Sequence, residues 1–225
     1  MDRKEMLLRL VSNFCDYEEQ NTSGAELSFS DFIGYLNAQY NADTRPLRDV
    51  AGPEEAWLQE DRTTNIEISV LFIFLYRYAV FYGKKALDDS PLATLDEFSF
   101  MIVLMTYKQL SKTELINKLI IEKTSGIEVI KRLVKSGMLE EQKNPHDKRS
   151  ILVALTPKGK RTVTDLLPKM KLVGEAVIGN LSELEVASLS YLLRKLDHFH
   201  NENYTQHRET GLEEILEVRS KKIKD

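Results

Sequence analysis

Residues 111–159, SKTELINKLIIEKTSGIEVIKRLVKSGMLEEQKNPHDKRSILVALTPKG, decide the fold because almost every joint in them is marked. Ser111-Lys112-Thr113-Glu114 spells a capping box, in which the hydroxyl takes a free first-turn amide and the carboxylate three residues on reaches back. A short helix is predicted behind it, with Leu115, Leu119 and Ile120 on one face. Glu122-Lys123-Thr124-Ser125-Gly126 breaks that helix, and a second, over about 124–136, runs through Ile127, Ile130, Leu133 and Val134. Gly137 ends it, since glycine enters the left-handed conformation without a side-chain penalty. Two β-type runs follow, Met138–Gln142 and Ser150–Leu155, joined by Lys143-Asn144-Pro145-His146-Asp147-Lys148-Arg149. Thr156 then caps another helix, with Pro157 in its first turn.

Helix, helix, strand, basic turn, strand, helix is the order of a winged helix-turn-helix. The stretch resembles the MarR family of bacterial transcription regulators. Asp147-Lys148-Arg149, the strand after it, and Leu155-Thr156-Pro157-Lys158-Gly159 match that family's D-x-R … L-T-x-x-G wing signature. Residues 131–139, KRLVKSGML, resemble the end of its recognition helix and the start of its wing. The resemblance covers roughly residues 65–204, leaving the first sixty or so and the tail after Tyr204 outside it. The fold class it implies is mainly α with a small β-wing: a winged helix-turn-helix domain plus a helical dimerisation lobe.

The 225 residues are 42% hydrophobic and 29% charged, the balance of a water-soluble globular chain with room for one large core or two small ones. One cysteine rules out an internal disulfide and fits the cytoplasm. No signal-peptide core follows Met1, and no membrane partner is expected: the most apolar run, Ile68 to Tyr82, contains Arg77 and is shorter than a span of ~20 residues. We read it as part of a buried helix. The net charge of −4 argues against nucleic acid, but its distribution argues for it. Residues 108–161 hold 13 basic and 6 acidic side chains, while residues 1–107 hold 9 and 18. Phosphate contact needs a local positive face rather than a basic total.

Along the chain, residues 3–20 and 28–41 show helical spacing, the second opened by Ser28. Residues 41–60 lose it and contain Pro46, Gly52 and Pro53, with a short helix expected at Glu54–Leu58. Long helices are expected over 65–87, 95–108 (opened by the capping box Thr94-Leu95-Asp96-Glu97), 157–179 and from Ser182 onward. Pro168 should bend or break the third of these. In the last, Val186, Leu189, Leu192, Leu193, Leu196 and Phe199 should turn inward. The expected division is a helical extension and linker over 1–60, a dimerisation helix over 61–93, the DNA-binding domain over 94–160, C-terminal dimerisation helices over 161–204, and a polar tail or short appended helix over 205–225. The helix at 65–87 is apolar on nearly every side and needs cover all round. A second subunit would supply it, as the resemblance also implies; the alternative is wrapping by residues 1–40 of the same chain. We expect those acidic first forty residues to support the dimerisation lobe rather than touch DNA.

The DNA-binding residues read from the sequence fall in three groups. Lys123, Thr124, Ser125 and Gly126 open the recognition helix, Gly126 permitting close backbone approach. Lys131 and Arg132 reach phosphates from its later turns, and Lys112 and Thr113 clamp the backbone from the helix before. Arg149, with Lys148 and Lys143 beside it, inserts at the wing into a narrow minor groove, and Asp147 orients that arginine or its turn. His146 is read as a turn residue. Glu128 departs from the family pattern: it closes a second capping box from Ser125, the reading preferred here, or accepts from a cytosine amino group.

Catalysis has no footing: G-x-S-x-G, P-loop and dinucleotide motifs are all missing. His198 and His200 point to different faces of one helix, and His198 with Glu202 is too small a metal site. Cys15 lies among Asp16, Glu18 and Glu19, which disfavour a reactive thiolate, and is read as packing. The expected protein is therefore a non-enzymatic, cofactor-free, dimeric cytoplasmic repressor-type regulator of a near-palindromic duplex. The resemblance implies control by a small ligand, held between the 65–87, 95–108 and 157–179 helices near aromatics such as Phe72, Tyr76 and Phe98. The alternative is a winged-helix protein-interaction module without DNA binding.

Overall fold

The computed structural model describes residues 2–20, 27–40, 64–145, 147, 149–206 and 210–222. The helix expected at Glu54–Leu58 and the turn residues His146 and Lys148 lie outside them. The chain divides into two compact units, Met1–Thr63 and Thr64–Asp225.

In the first unit, α1 (Arg3–Gln20) packs on α2 (Phe29–Tyr40) through a ring cluster, with Phe14 edge-on to Phe32 at 5.3 Å and Tyr17 beside it at 5.5 Å. Asn13 donates through Nδ2 to the Tyr40 hydroxyl at 2.8 Å. Among its described residues Phe32 is buried, whereas Met6, Leu7, Leu8, Leu10, Val11 and Phe29 are exposed. Cys15 is exposed too, which overturns the packing role read from the sequence.

The second unit begins with α3 (Thr64–Leu87) and α4 (Leu95–Tyr107). Strand β1 (Gln109–Ser111) leads into α5 (Lys112–Lys118) and α6 (Lys123–Lys135), then β2 (Leu139–Lys143) and β3 (Ile151–Leu155). Three helices follow: α7 (Pro157–Ile178), α8 (Glu183–Gln206) and α9 (Leu212–Lys222). The strands form one antiparallel sheet in the order β1-β3-β2, pairing Leu110 with Val153 and Leu139 with Leu155. The core is sealed by Phe100, Met101, Leu104, Leu115, Ile130, Leu133, Met138, Val153 and Val163, contributed by α4, α5, α6, β3 and α7 and by the α6–β2 turn. Such close packing makes the winged region a rigid frame for the surface it carries.

The capping grammar is realised. Ser111 and Glu114 form both halves of their box, and those hydrogen bonds from the Ser111 side chain and backbone hold the Glu114 carboxyl below the ordinary glutamate range. Thr94 takes the Glu97 amide, but the Glu97 carboxylate goes one residue further back, to the Ala93 amide at 2.7 Å. Gly137, at φ 72°, ends α6 as a Schellman motif: Met138 N–H donates to the Leu133 carbonyl at 2.9 Å and Gly137 N–H to that of Val134 at 3.0 Å.

The structure corrects or refines several expectations. The break between α5 and α6 falls at 119–122, so residues 123–126 are helical. Within it Ile120 sits at φ 55° and is exposed, and Ile116 takes the buried place assigned to it. A third strand, β1, joins the two expected. Of the bend or break expected at Pro168 the break does not occur, because α7 resumes its ladder beyond the one donor that proline lacks. The inward face expected of α8 is open in the single chain, with Leu189, Leu192, Leu193 and Leu196 all exposed. α3, for which cover by a second subunit was expected, is likewise open in the single chain, where only Gly83, Ala86 and Leu87 are buried and Ile68, Phe72, Leu75, Tyr76 and Phe81 are exposed. It is longer than its most apolar run suggested, 24 residues, and by length and composition it would suffice to cross a membrane.

Candidate nucleic-acid interface

The local sequence explains why α6 stands where it does. Its buried stripe of Gly126, Val129, Ile130 and Leu133 faces the core. Gly126 is the contact with α5: a Cβ there would lie 2.5 Å from the Ile116 side chain. Its small size therefore serves helix–helix approach, not the approach to DNA that the sequence suggested. The N-cap is Glu122, and its side chain makes no capping hydrogen bond. The first-turn amides of α6 thus open outward without a side-chain acceptor, next to exposed Lys123, Thr124 and Ser125.

The C-terminal end of α6 is fastened to the start of α7. Thr156 Oγ1 donates to the Gly137 carbonyl at 2.7 Å and accepts from the Gly159 amide at 3.0 Å. Lys158 Nζ donates to the Ser136 carbonyl at 2.8 Å, a cation on the negative end of α6. Gly159 lies so close to the Met138 carbonyl that no side chain could be added without displacing backbone. The L-T-x-x-G signature is thus a joint between recognition helix, sheet and following helix.

The charged residues sort into three kinds. Lys112 is ion-paired to Glu141 of β2 at 2.7 Å, tying the start of α5 to the wing. Arg132 Nε meets Glu97 Oε1 at 2.9 Å, and Glu97 is 5% exposed. Its guanidinium is thereby held at the start of α4, while about half of the side chain stays exposed. Lys131 is exposed and pairs with Glu128 at 3.0 Å. Glu128 does not close the capping box expected of it, because Ser125 lies inside the helix rather than at its start.

At the wing tip, Asp147 Oδ1 accepts from the Arg149 backbone amide at 2.9 Å and Ser150 N–H donates to the Asp147 carbonyl at 3.0 Å. Asp147 therefore shapes the turn that presents the exposed Arg149. Sequence reasoning missed the Glu97–Arg132 and Lys112–Glu141 pairs. They join residues distant along the chain, and no local spacing signals them. Of the aromatics expected near a ligand, Phe98 belongs to the core, while Phe72 and Tyr76 are exposed.

The two neighbouring cations of α6 should separate in experiment. Arg132→Ala removes one partner of a buried carboxylate and should lower stability by about 1–3 kcal/mol without changing the salt slope of duplex binding. Lys131→Ala should leave the unfolding midpoint within about 0.5 kcal/mol and lower the salt slope by less than about one unit, since Glu128 at 3.0 Å already offsets part of that charge. Denaturant unfolding and binding isotherms at several salt concentrations read both.

Comparison with known proteins gives the same surface a context. Residues 98–159 match the winged helix DNA-binding domain family. The chain is 31% identical to the multiple antibiotic resistance protein MarR of Salmonella typhimurium over 125 residues, covering 53% of this chain and 86% of that protein. It is 25% identical to the HTH-type transcriptional repressor NicR of Pseudomonas putida over 120 residues, covering 53% of this chain and 75% of the repressor. Among solved structures, E. coli MarR complexed with operator DNA superposes with a TM-score of 0.55 at 25% identity, over 58% of this chain and 94% of that one. Bordetella bronchiseptica BpsR, whose DNA binding is regulated by 6-hydroxynicotinic acid, gives 0.55 at 27% identity over 58% and 98%.

Proposed function

This chain belongs to the MarR family of winged-helix transcription regulators, and from that premise we propose that it works as a cytoplasmic homodimer on a near-palindromic duplex. The observation that carries the proposal is the outward face of α6 with its uncapped first turn, standing beside the wing that presents Arg149. Thr113, Lys123, Thr124, Ser125 and Lys131 meet the major groove and its phosphates, while Arg149 reaches the adjoining minor groove and Lys148 adds a phosphate contact. Lys112 keeps part of its charge for the backbone, and Gly126 and Arg132 position α6 from behind. Residues 94–160 form the DNA-binding domain, with dimerisation helices at 61–93 and 161–204. NicR, a relative named as a transcriptional repressor, supports repression as the mode of action, with no catalytic step.

The dimer rests on the exposed apolar residues of α3 and α8, which a second copy covers and water does not favour. A two-fold axis then sets the recognition helices about 34 Å apart, one turn of DNA. A small organic effector controls DNA binding, by analogy with the regulation of BpsR by 6-hydroxynicotinic acid, and the cleft between the dimerisation helices and the winged region is the place the family resemblance implies for it. Sedimentation at micromolar concentration should give a dimer, and footprinting should show two protected half-sites about one helical turn apart. A folded monomer at that concentration, or protection of a single half-site, would refute the assembly.

A further inference from the structure

The recognition helix places a carboxylate where a DNA reader ordinarily avoids one. At 3.6 residues per turn, the buried Gly126, Val129, Ile130 and Leu133 share one side of α6. Thr124, Glu128, Lys131 and Lys135 run down the opposite side, all exposed. Glu128 therefore stands near the centre of the outward stripe. Ser125, favoured as a reader in the sequence, stands about a quarter-turn away at its flank. A bare carboxylate in that position would be repelled by phosphates. Glu128 is not bare: Lys131 lies 3.0 Å from its Oε1, one turn on along the same stripe. The pair is close to neutral, and its second carboxylate oxygen has no role in capping the helix.

From this geometry we propose that Glu128 is a specificity residue that accepts a hydrogen bond from the N4 amino group of a cytosine in the major groove, with Lys131 holding the carboxylate in place. Cytosine is the base that offers a donor with no neighbouring acceptor on its major-groove edge, so it is the partner that suits a carboxylate. The inference rests on the DNA-binding reading above and adds to it the base that one position selects. A pair that merely solvated the helix surface would have no base preference.

The test uses the full-length protein and a library of duplexes with randomised half-sites. The parent should enrich a cytosine at one fixed position in each half-site, and replacing that C·G pair should weaken binding about tenfold. In E128Q, preference at that position should move to adenine, whose N6 and N7 match a glutamine amide. In E128A the preference should vanish at that position alone. Should E128Q tighten all duplexes equally, with the cytosine preference intact, the carboxylate is only a repulsive charge and the proposal fails while the DNA-binding reading stands. Enrichment of no sequence by the parent would overturn both.

Discussion

Gly159→Val should unfold the winged region at a far lower denaturant concentration than the parent tolerates. The added Cβ points at the Met138 carbonyl oxygen, closer than a real Cβ approaches such an atom, and the Leu155 side chain lies 3.0 Å away. Neither neighbour can retreat freely. The Met138 carbonyl accepts the Thr156 amide at 3.0 Å, and Met138 itself is fully buried. Relief requires moving the turn between α6 and β2, which the Schellman bonds hold. We expect a loss of about 3 kcal/mol, at the upper end for an overpacked site. Gly174→Ala is the control, because that glycine is on α7 with nothing within 4 Å of its added Cβ. There the better helix former should add up to about 1 kcal/mol. Equal midpoints for Gly159→Val and the parent in denaturant unfolding would show that the joint is not packed as described.

Arg149→Ala should produce the largest loss of DNA affinity among single wing changes. Its side chain is exposed in the turn that joins β2 and β3, and an arginine inserted into a narrow minor groove meets its most negative potential. Removing it should weaken binding by about 1–3 kcal/mol, more on duplexes with A·T-rich flanks, where the groove narrows and its potential deepens. Asp147→Ala should move affinity the same way by less, since it frees the Arg149 amide without deleting the guanidinium. Binding isotherms on one operator and one scrambled duplex measure both. If Asp147→Ala tightens binding, the aspartate acts only as a negative charge. If Arg149→Ala equals the parent on both duplexes, the wing does not touch DNA.

Signals written in adjacent residues were legible before any coordinates: the Ser111 and Thr156 caps, the Gly137 stop and the turn around Asp147 all emerge where their spacing put them. Such motifs are closed within four or five residues, so spacing alone can signal them, although the equally local box read from Ser125 to Glu128 did not form because α6 starts earlier, at Lys123. Other misreadings needed information from far along the chain. Arg132 was given to phosphate alone because nothing near it in sequence announces Glu97, 35 residues away. Gly126 was given to DNA because its true neighbour, Ile116, belongs to another helix. Strand β1 is three residues long and pairs only because β3 lies beside it, so its own sequence carries almost no period. The burial expected of α3 and α8 was inferred from apolar pattern, and pattern cannot distinguish cover by the same chain from cover by another.

The joint at Thr156 and Lys158 has a mechanical consequence. With Gly137 and Ser136 bonded to the first turn of α7, the end of one helix and the beginning of the other would turn together as a single lever. The far end of α6 lies about 20 Å from that pivot, thirteen residues at 1.5 Å each. A 10° tilt of α7, fed through the pivot, would sweep that end by about 3.5 Å, roughly the 3.4 Å rise of one base pair along a strand. In the proposed dimer an effector would then need no contact with the reading face. A few degrees of hinge beneath it would put both helices out of step with the duplex, and the response would be read as a changed preferred spacing between half-sites.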